Sequence, residues 1–225
     1  MSKIKFGAFV TDMRGKSGGS VFSKNRSGAY VKNKVTPINQ KTAAQQGVRE
    51  TLGKLAGDWR TLSEDQRSSW KEGSANFPLT NVFGDQYFLA GNMLYNRLNA
   101  NLKKVGASTL SICPAPAEVA EVTAAVSVLS PGSVTLVLPA TDADTALVIR
   151  ATAQLSAGIN NFNSKLRDLA VVAPSTAAGP LSLNAAYEAK FGLVATGCRT
   201  GFAVYAVNVN TGQEGVPLYI SGIAV

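Results

Sequence analysis

The 225-residue chain contains no histidine. Histidine is the commonest general base, the commonest metal ligand and the side chain that titrates near neutral pH, so the usual basis of acid–base catalysis, metal binding and pH sensing is missing. The only cysteines, Cys113 and Cys198, form no CxxC or metal-like cluster, and we expect two buried free thiols. A disulfide would require Cα atoms within about 7 Å. A catalytic thiol would lack its histidine partner.

Long apolar runs are also absent. Runs such as Ala203–Val207 (with Phe202 before it) and Ala146–Ile149 suit strands and fall far short of the roughly 20 residues of a membrane helix. The first residues carry charge but no apolar core follows them, which argues against a secretory signal. An apolar content of 45% is typical of a folded protein. We therefore predict a soluble protein that is made inside the cell, with no membrane partner, no cofactor and no metal.

The excess of basic over acidic residues is confined to the first half of the chain. Residues 1–105 hold 17 Lys and Arg against 7 Asp and Glu, whereas residues 106–225 hold 5 against 7. Residues 1–49 alone hold ten basic residues and one acid, Asp12. This division predicts a basic unit that contacts something anionic and a neutral, β-rich unit. Basic arms of this kind usually become ordered on a partner; a solvated surface that keeps the protein soluble is the alternative.

A β-hairpin is predicted over Val21–Val35, with turn residues at Asn25–Gly28 and a positive φ at Gly28. The two-residue period of a strand gives its second arm one cationic and one largely apolar face. The cationic face carries Tyr30, Lys32 and Lys34, and the other carries Ala29, Val31, Asn33 and Val35. The preceding segment, Arg14–Ser20, is rich in glycine and is expected to be flexible. It lacks the GxxxxGK[ST] spacing of a phosphate-binding loop.

Three helices should follow the hairpin. Thr42 is a suitable N-cap for the first, whose apolar stripe is Val48, Leu52, Leu55 and Trp59. The second begins at Ser63, where Ser63–Gln66 fits a capping box, and its Trp70 should pack on Trp59 and Leu62. The third covers about Tyr87–Val105.

From Val119 onward, about seven short strands alternate with turns, which favours an antiparallel sandwich of immunoglobulin or fibronectin III type. Leu183–Phe191 interrupts the strands with a helical pattern. Asp142 and Asp144 lie in a predicted turn, where aspartate is favoured for backbone hydrogen bonding. Because no calcium-loop pattern or second acidic cluster accompanies them, we interpret them as turn residues and not as calcium ligands or glycosidase carboxylates.

The predicted fold class is therefore α+β and multidomain. A basic arm with its β-hairpin covers residues 1–40, a small helical domain covers 41–106, a linker covers 107–118 and the β-sandwich covers 119–225.

Three motifs in the first 75 residues carry a resemblance to a known group. GGSVFSKNRSGAYVKNKVTP (18–37), QKTAAQQ (40–46) and WRTLSEDQRSSW (59–70) resemble a group of tailed-phage structural proteins, including those of crAss-like phages. YEAKFG (187–192) and NTGQ (210–213) are similar to the fibronectin-like ends that some of these proteins carry. The resemblance implies a virion component made in the host cytoplasm, in particular an auxiliary or decoration protein of the capsid. It supplies no catalytic motif.

Two main hypotheses follow. In the first, the chain is a non-enzymatic virion protein whose basic half binds the major capsid protein, another virion protein or copies of itself. The predicted contact residues are Arg14, Lys16, Phe22, Lys24, Arg26, Tyr30, Lys32 and Lys34. In the second, the same cations contact nucleic-acid phosphate while Tyr30 or Phe22 stacks on bases. A head–tail or tail component is a further alternative. A hydrolase of surface sugars is disfavoured by the lack of histidine and of an acidic constellation, so no small-molecule substrate is expected.

Overall fold

The computed structural model describes residues 2–25, 28–80 and 83–225 and has a mixed α+β architecture, as predicted. The chain forms two compact units, Met1–Gln46 and Gly47–Val225. We call them the N-terminal unit and the C-terminal unit. No helix in the described ranges is both long and apolar enough to cross a membrane.

The N-terminal unit contains one four-stranded antiparallel sheet in the order β1-β4-β3-β2. Its strands are β1 (Ser2–Lys3), β2 (Gly15–Ser17), β3 (Ser20–Asn25) and β4 (Gly28–Asn33). The predicted hairpin corresponds to β3 and β4, and Gly28 has the predicted positive φ of 108°. Strand β2 was not predicted. Ser17 pairs with Ser20, so Gly18 and Gly19 form a two-residue turn, and the positive φ that Gly18 adopts suits it.

Four α-helices follow along the chain: α1 (Ala43–Thr61), α2 (Glu64–Gly73), α3 (Gly91–Lys104) and α4 (Asn184–Phe191). The predicted caps are confirmed. The Thr42 hydroxyl accepts a hydrogen bond from the Gln45 backbone N–H at 3.4 Å, and Ser63 and Gln66 form a reciprocal capping box. The helical insert expected between strands is α4.

The first three helices of this set share an apolar core around Trp70, which is fully buried. Trp59 and Leu62 pack against this core, as predicted. Tyr95 lies between the two indoles, with ring centroids 5.3 Å from Trp59 and 5.2 Å from Trp70. The Trp70 indole N–H donates to the Ser111 carbonyl at 3.0 Å, so the polar atom of this buried ring has a partner.

The rest of the C-terminal unit is built on antiparallel strands. A short ribbon pairs β5 (Leu79–Thr80) with β6 (Gln86–Tyr87). Seven further strands follow: β7 (Ala125–Ser130), β8 (Ser133–Leu138), β9 (Thr145–Ala151), β10 (Arg167–Val172), β11 (Gly179–Ser182), β12 (Arg199–Asn208) and β13 (Leu218–Ile223). They form a three-stranded sheet, β11-β8-β7, and a four-stranded sheet, β10-β9-β12-β13.

The inner faces of these two sheets enclose one apolar core, which α4 completes with the buried Tyr187. Alternate residues of the central strand β12, such as Phe202 and Val204, point into this core and are fully buried. The Tyr187 hydroxyl donates to the Thr152 carbonyl at 3.0 Å. The helical insert therefore contributes to the sheet core.

The outer face of the β10-β9-β12-β13 sheet packs against the C-terminal end of α3. Val105 contacts the apolar cluster of Val148, Tyr205 and Val207. The Lys104 ammonium donates to the Tyr205 hydroxyl at 2.7 Å and pairs with Asp168 at 3.0 Å. The helices and sheets thus form one compact unit. The separate helical and sandwich domains expected at 41–106 and 119–225 stay a prediction, because compactness does not test independent folding.

Gly91 permits the close approach of α2 and α3. A Cβ atom at this position would lie 2.9 Å from the Lys71 backbone nitrogen, and a backbone atom of a helix cannot yield as a side-chain end can. We expect Gly91→Ala to lower the free energy of unfolding by about 2 kcal/mol or more, through overpacking. In α1, Gly57→Ala meets nothing within 4 Å and should raise stability by up to about 1 kcal/mol. Chemical denaturation of both variants tests the pair, and equal effects would contradict it.

Lys104 joins α3 to the β10-β9-β12-β13 sheet. We expect its positive charge to increase the free energy of unfolding up to high pH. Burial lowers the pKa of Lys104, but the hydrogen bond to Tyr205 and the pair with Asp168 outweigh burial, so this pKa is raised. We expect Lys104→Met to lower the free energy of unfolding by about 1–2 kcal/mol at pH 7, whereas the exposed neighbour Lys103→Met should have little effect.

The pH dependence of this effect has a defined sign. Because the folded pKa lies above the unfolded value of about 10.4, the contribution of Lys104 is complete below that pH and is lost as the pH rises through the folded pKa. Denaturation curves of the wild type and Lys104→Met should therefore differ by a constant amount between pH 7 and 9 (about 1–2 kcal/mol) and converge above about pH 10.4. A gap that closes below pH 9 would contradict this assignment.

Candidate functional site

Strand register in the N-terminal unit brings lysines from three strands to one face of its sheet. Lys3 of β1 pairs with Tyr30 of β4, and Lys16 of β2 and Lys32 of β4 both pair with Val21 of β3. Residues paired across antiparallel strands point to the same side of a sheet. We call this side the basic face; its members are Lys3, Lys16, Val21, Ser23, Tyr30 and Lys32.

A groove of about 470 Å³ runs along the basic face. Lys16, Lys32 and Lys34 line it together with Val21 and the segment 35–37. The groove therefore brings together three of the predicted contact residues, Lys16 and Lys32 on the strands and Lys34 just after β4. Tyr30 lies on the same face of the sheet but does not line the groove. Its lining combines ammonium groups with apolar surface, which suits an anionic partner that also offers apolar contacts.

The remaining predicted contact residues lie elsewhere. Phe22 pairs with Val31, and Lys24 pairs with Ala29, so these four residues share the opposite face, which we call the apolar face. Arg14 pairs with Asp12 at 3.1 Å, and both side chains are exposed. Arg26 lies outside the described residues. The predicted division of the hairpin into a cationic and an apolar face is confirmed, but Lys24 and Phe22 belong to the apolar face.

The N-terminal unit has no apolar core within its described residues. Every described residue from 2 to 46 is half-buried or exposed, including Phe22 and Val31 of the apolar face. Phe9 is fully exposed, and Ile38 is 89% exposed. A sheet gains stability by burying a face against another layer, and single-layer sheets of this size are marginal in water. The described chain therefore covers the apolar face of this sheet only in part.

The net charge of the protein resides wholly in this coreless unit. Residues 1–46 hold nine Lys and Arg against Asp12, a formal charge of +8, which equals that of the whole chain. Residues 47–225 hold 13 basic and 13 acidic residues. Among the described residues, no lysine of the N-terminal unit has a carboxylate within 4 Å. In the C-terminal unit, by contrast, several cations have one, as in the Lys71–Glu64 pair at 3.0 Å.

The groups considered for catalysis or metal binding have structural partners. The Asp142 backbone carbonyl accepts hydrogen bonds from the Thr145 and Ser175 N–H groups, and the Asp144 carboxylate accepts from the Asn210 amide at 2.7 Å, in the turn predicted before β9. Within the described ranges, no three His, Cys, Asp or Glu side chains cluster as metal ligands would. Cys113 and Cys198 are free thiols but only half-buried, and burial raises the pKa of Cys113, which lowers its reactivity.

Comparison with known proteins gives no assignment for this arrangement. No protein-family model matches the chain, and no curated protein matches its sequence. The features that bear on function are therefore the basic face, the partly covered apolar face and the unequal distribution of net charge between the two units.

The missing core predicts weak protection of the isolated sheet. In the free protein we expect the backbone amides of β3 and β4 to exchange with solvent at least about 100-fold faster than those of β12, whose residues are almost all buried. Hydrogen–deuterium exchange read by mass spectrometry measures both regions in one sample. Protection of β3 and β4 equal to that of β12 would show that the N-terminal sheet is stable without a partner.

Proposed function

We propose that the chain is a non-enzymatic structural protein of a virion, which attaches to the capsid shell through its N-terminal unit and carries its C-terminal unit as an accessory body. The observation that carries the proposal is the complete segregation of the net charge into 46 residues that lack a core. The resemblance of the first 75 residues to tailed-phage structural proteins gives the class of particle.

The charge distribution supports attachment to an anionic surface. Lysines without a carboxylate partner keep their full field, which attracts acidic surface and speeds encounter. Lys16, Lys32 and Lys34 converge on one groove, so an acidic segment lying there would meet three cations at once. A role in solubility alone would not require this concentration, because the larger C-terminal unit is neutral.

The apolar face of the N-terminal sheet, which the described chain covers only in part, supports a protein partner. A surface that carries Phe22, Ala29 and Val31 gains free energy when another protein layer covers it, at about 25 cal/mol for each Å² of apolar area removed from water. A sheet that is apolar on one side and cationic on the other would be completed by a shell subunit that offers both apolar and acidic contacts. Attachment and ordering of the unit would then occur together.

Strand order supports the finer assignment of the two facing sheets to the fibronectin III type. In constant-type immunoglobulin domains the fourth strand joins the first, second and fifth. Here the fourth of the seven strands, β10, lies beside the third, β9, and the first, second and fifth form the other sheet. This arrangement is typical of fibronectin III domains. Such domains often serve as outward-facing modules, although fold alone does not determine function.

Nucleic-acid binding is the second candidate, because the same lysines could contact phosphate. Binding of single strands also needs aromatic rings on which bases stack. Tyr30 is the one aromatic residue that the register places on the basic face among the described residues, since Phe22 points to the other side. The separation of the aromatic and cationic groups therefore favours a protein partner.

Co-sedimentation with capsids tests the proposal. Capsids from a phage mutant that lacks this chain are mixed with the purified protein at about 0.05 M and 0.5 M salt, with duplex DNA as a parallel target. We expect saturable binding to capsids, weakened but not abolished by salt because apolar contacts remain. Salt-labile binding to DNA without binding to capsids would contradict the proposal and favour nucleic acid.

Matched charge variants locate the contact. The triple variant Lys16→Gln/Lys32→Gln/Lys34→Gln should weaken capsid binding by about tenfold or more, whereas Lys54→Gln/Lys103→Gln/Lys165→Gln removes the same charge from the C-terminal unit and should leave binding unchanged. Deletion of residues 2–35 should abolish binding while circular dichroism shows the C-terminal unit still folded. Equal losses in the two triple variants, or retained binding after the deletion, would refute attachment through the N-terminal unit.

A further inference from the structure

A groove lined by Arg97 and Arg150, which we call the arginine groove, crosses the outer face of the β10-β9-β12-β13 sheet, wholly within the C-terminal unit. Register places Tyr219, Ala203, Arg150 and Asp168 in one row across β13, β12, β9 and β10. The groove encloses about 380 Å³ above this row, a volume within the range of small-ligand sites. Because it lies within residues 47–225, its ligand is independent of the partner of the N-terminal unit.

Side chains of different size form the floor and walls of this groove. Ala203 lines the groove floor and is almost fully buried, in a cluster with Leu155, Phe162 and Leu166. Tyr219 stands at one side with 46% of its surface exposed, so a face of its ring is accessible. Arg97 of α3 and the segment 214–217 line the remaining wall. An apolar ring face could therefore lie against Tyr219.

The groove is rich in hydrogen-bond donors. Arg97 donates to Glu214 through one nitrogen at 2.9 Å, and both side chains remain more than one-third exposed. The Arg150 Nε atom is buried and lies 3.1 Å from Asp168, a distance that makes an ion pair, yet in the described part of the chain it has no hydrogen-bond partner. Arg97 pairs with Glu214, and Arg150 shares Asp168 with Lys104, so three cations in and beside the groove face two carboxylates. This excess of one cation favours an anionic ligand.

We propose that this groove binds a saccharide unit that bears a carboxylate. Arg97 and Arg150 would hold the carboxylate, for which the planar guanidinium is well suited. Glu214 would accept hydrogen bonds from ring hydroxyls, and Tyr219 would cover the apolar face of the sugar ring. A simple anion would use only the arginines and would leave the half-exposed aromatic ring of Tyr219 without a role.

Ligand-observed NMR on the full chain tests both halves of the proposed ligand. D-Glucuronate carries ring and carboxylate, D-glucose carries the ring alone and acetate carries the carboxylate alone. We expect saturable saturation transfer from the protein to glucuronate, with at least fivefold weaker binding of glucose and of acetate. The amide of N-acetylglutamate presents the same carboxylate on a peptide unit. Equal binding of this amide and glucuronate would overturn the saccharide assignment, as would the absence of saturable glucuronate binding.

Two variants with matched controls locate the binding. Tyr219→Ala should weaken glucuronate binding at least fivefold, whereas Tyr87→Ala, at a tyrosine with the same 46% exposure outside the groove, should not change it. Arg97→Gln should weaken glucuronate more than glucose, and the exposed Arg60→Gln is its control. Circular dichroism checks that each variant is folded. Unchanged binding in both Tyr219→Ala and Arg97→Gln would place the ligand elsewhere and overturn the proposal.

Discussion

The contact between α3 and the outer face of the β10-β9-β12-β13 sheet is the constraint on which the rest of the C-terminal unit depends. Gly212 makes it possible, because its φ of 74° suits glycine and any Cβ there would collide with the Leu98 carbonyl of α3. Lys104 and Asn101 then tie the helix to Asp168 and to the Gly212 carbonyl. Through this contact the helical core and the sheet core become one body, and the wall of the arginine groove is formed.

The two units achieve order in different ways. The C-terminal unit buries its apolar side chains in cores and pairs cations with acids, as Lys71–Glu64 and Arg97–Glu214 show. In the N-terminal unit none of the described residues is buried, and Asp12 is its one acid. Under the proposed function, the apolar and ionic contacts that complete this unit would come from another molecule.

Local sequence signals predicted most elements of this fold. The capping residues Thr42 and Ser63 were readable because they depend on neighbours within one turn of helix. Strand alternation gave the faces of the hairpin. The position of Lys24 on the apolar face and strand β2 both depend on the register of two-residue hairpins, which the glycine-rich and polar turn residues alone did not specify. The arginine groove joins residues more than 100 positions apart, Arg97 and Glu214 among them, and no pattern in the sequence marks it.

The neutrality of the C-terminal unit has a consequence for crowding. With 13 basic and 13 acidic residues, two copies of this unit approach each other without a net Coulomb cost, whereas two bodies of charge +8 would repel within a Debye length of about 8 Å at physiological salt. If copies of the chain attach side by side, the volume of the C-terminal unit then limits how closely they can lie. Neutralising the N-terminal unit on its partner would remove the remaining repulsion, so dense side-by-side attachment would become easier as binding proceeds.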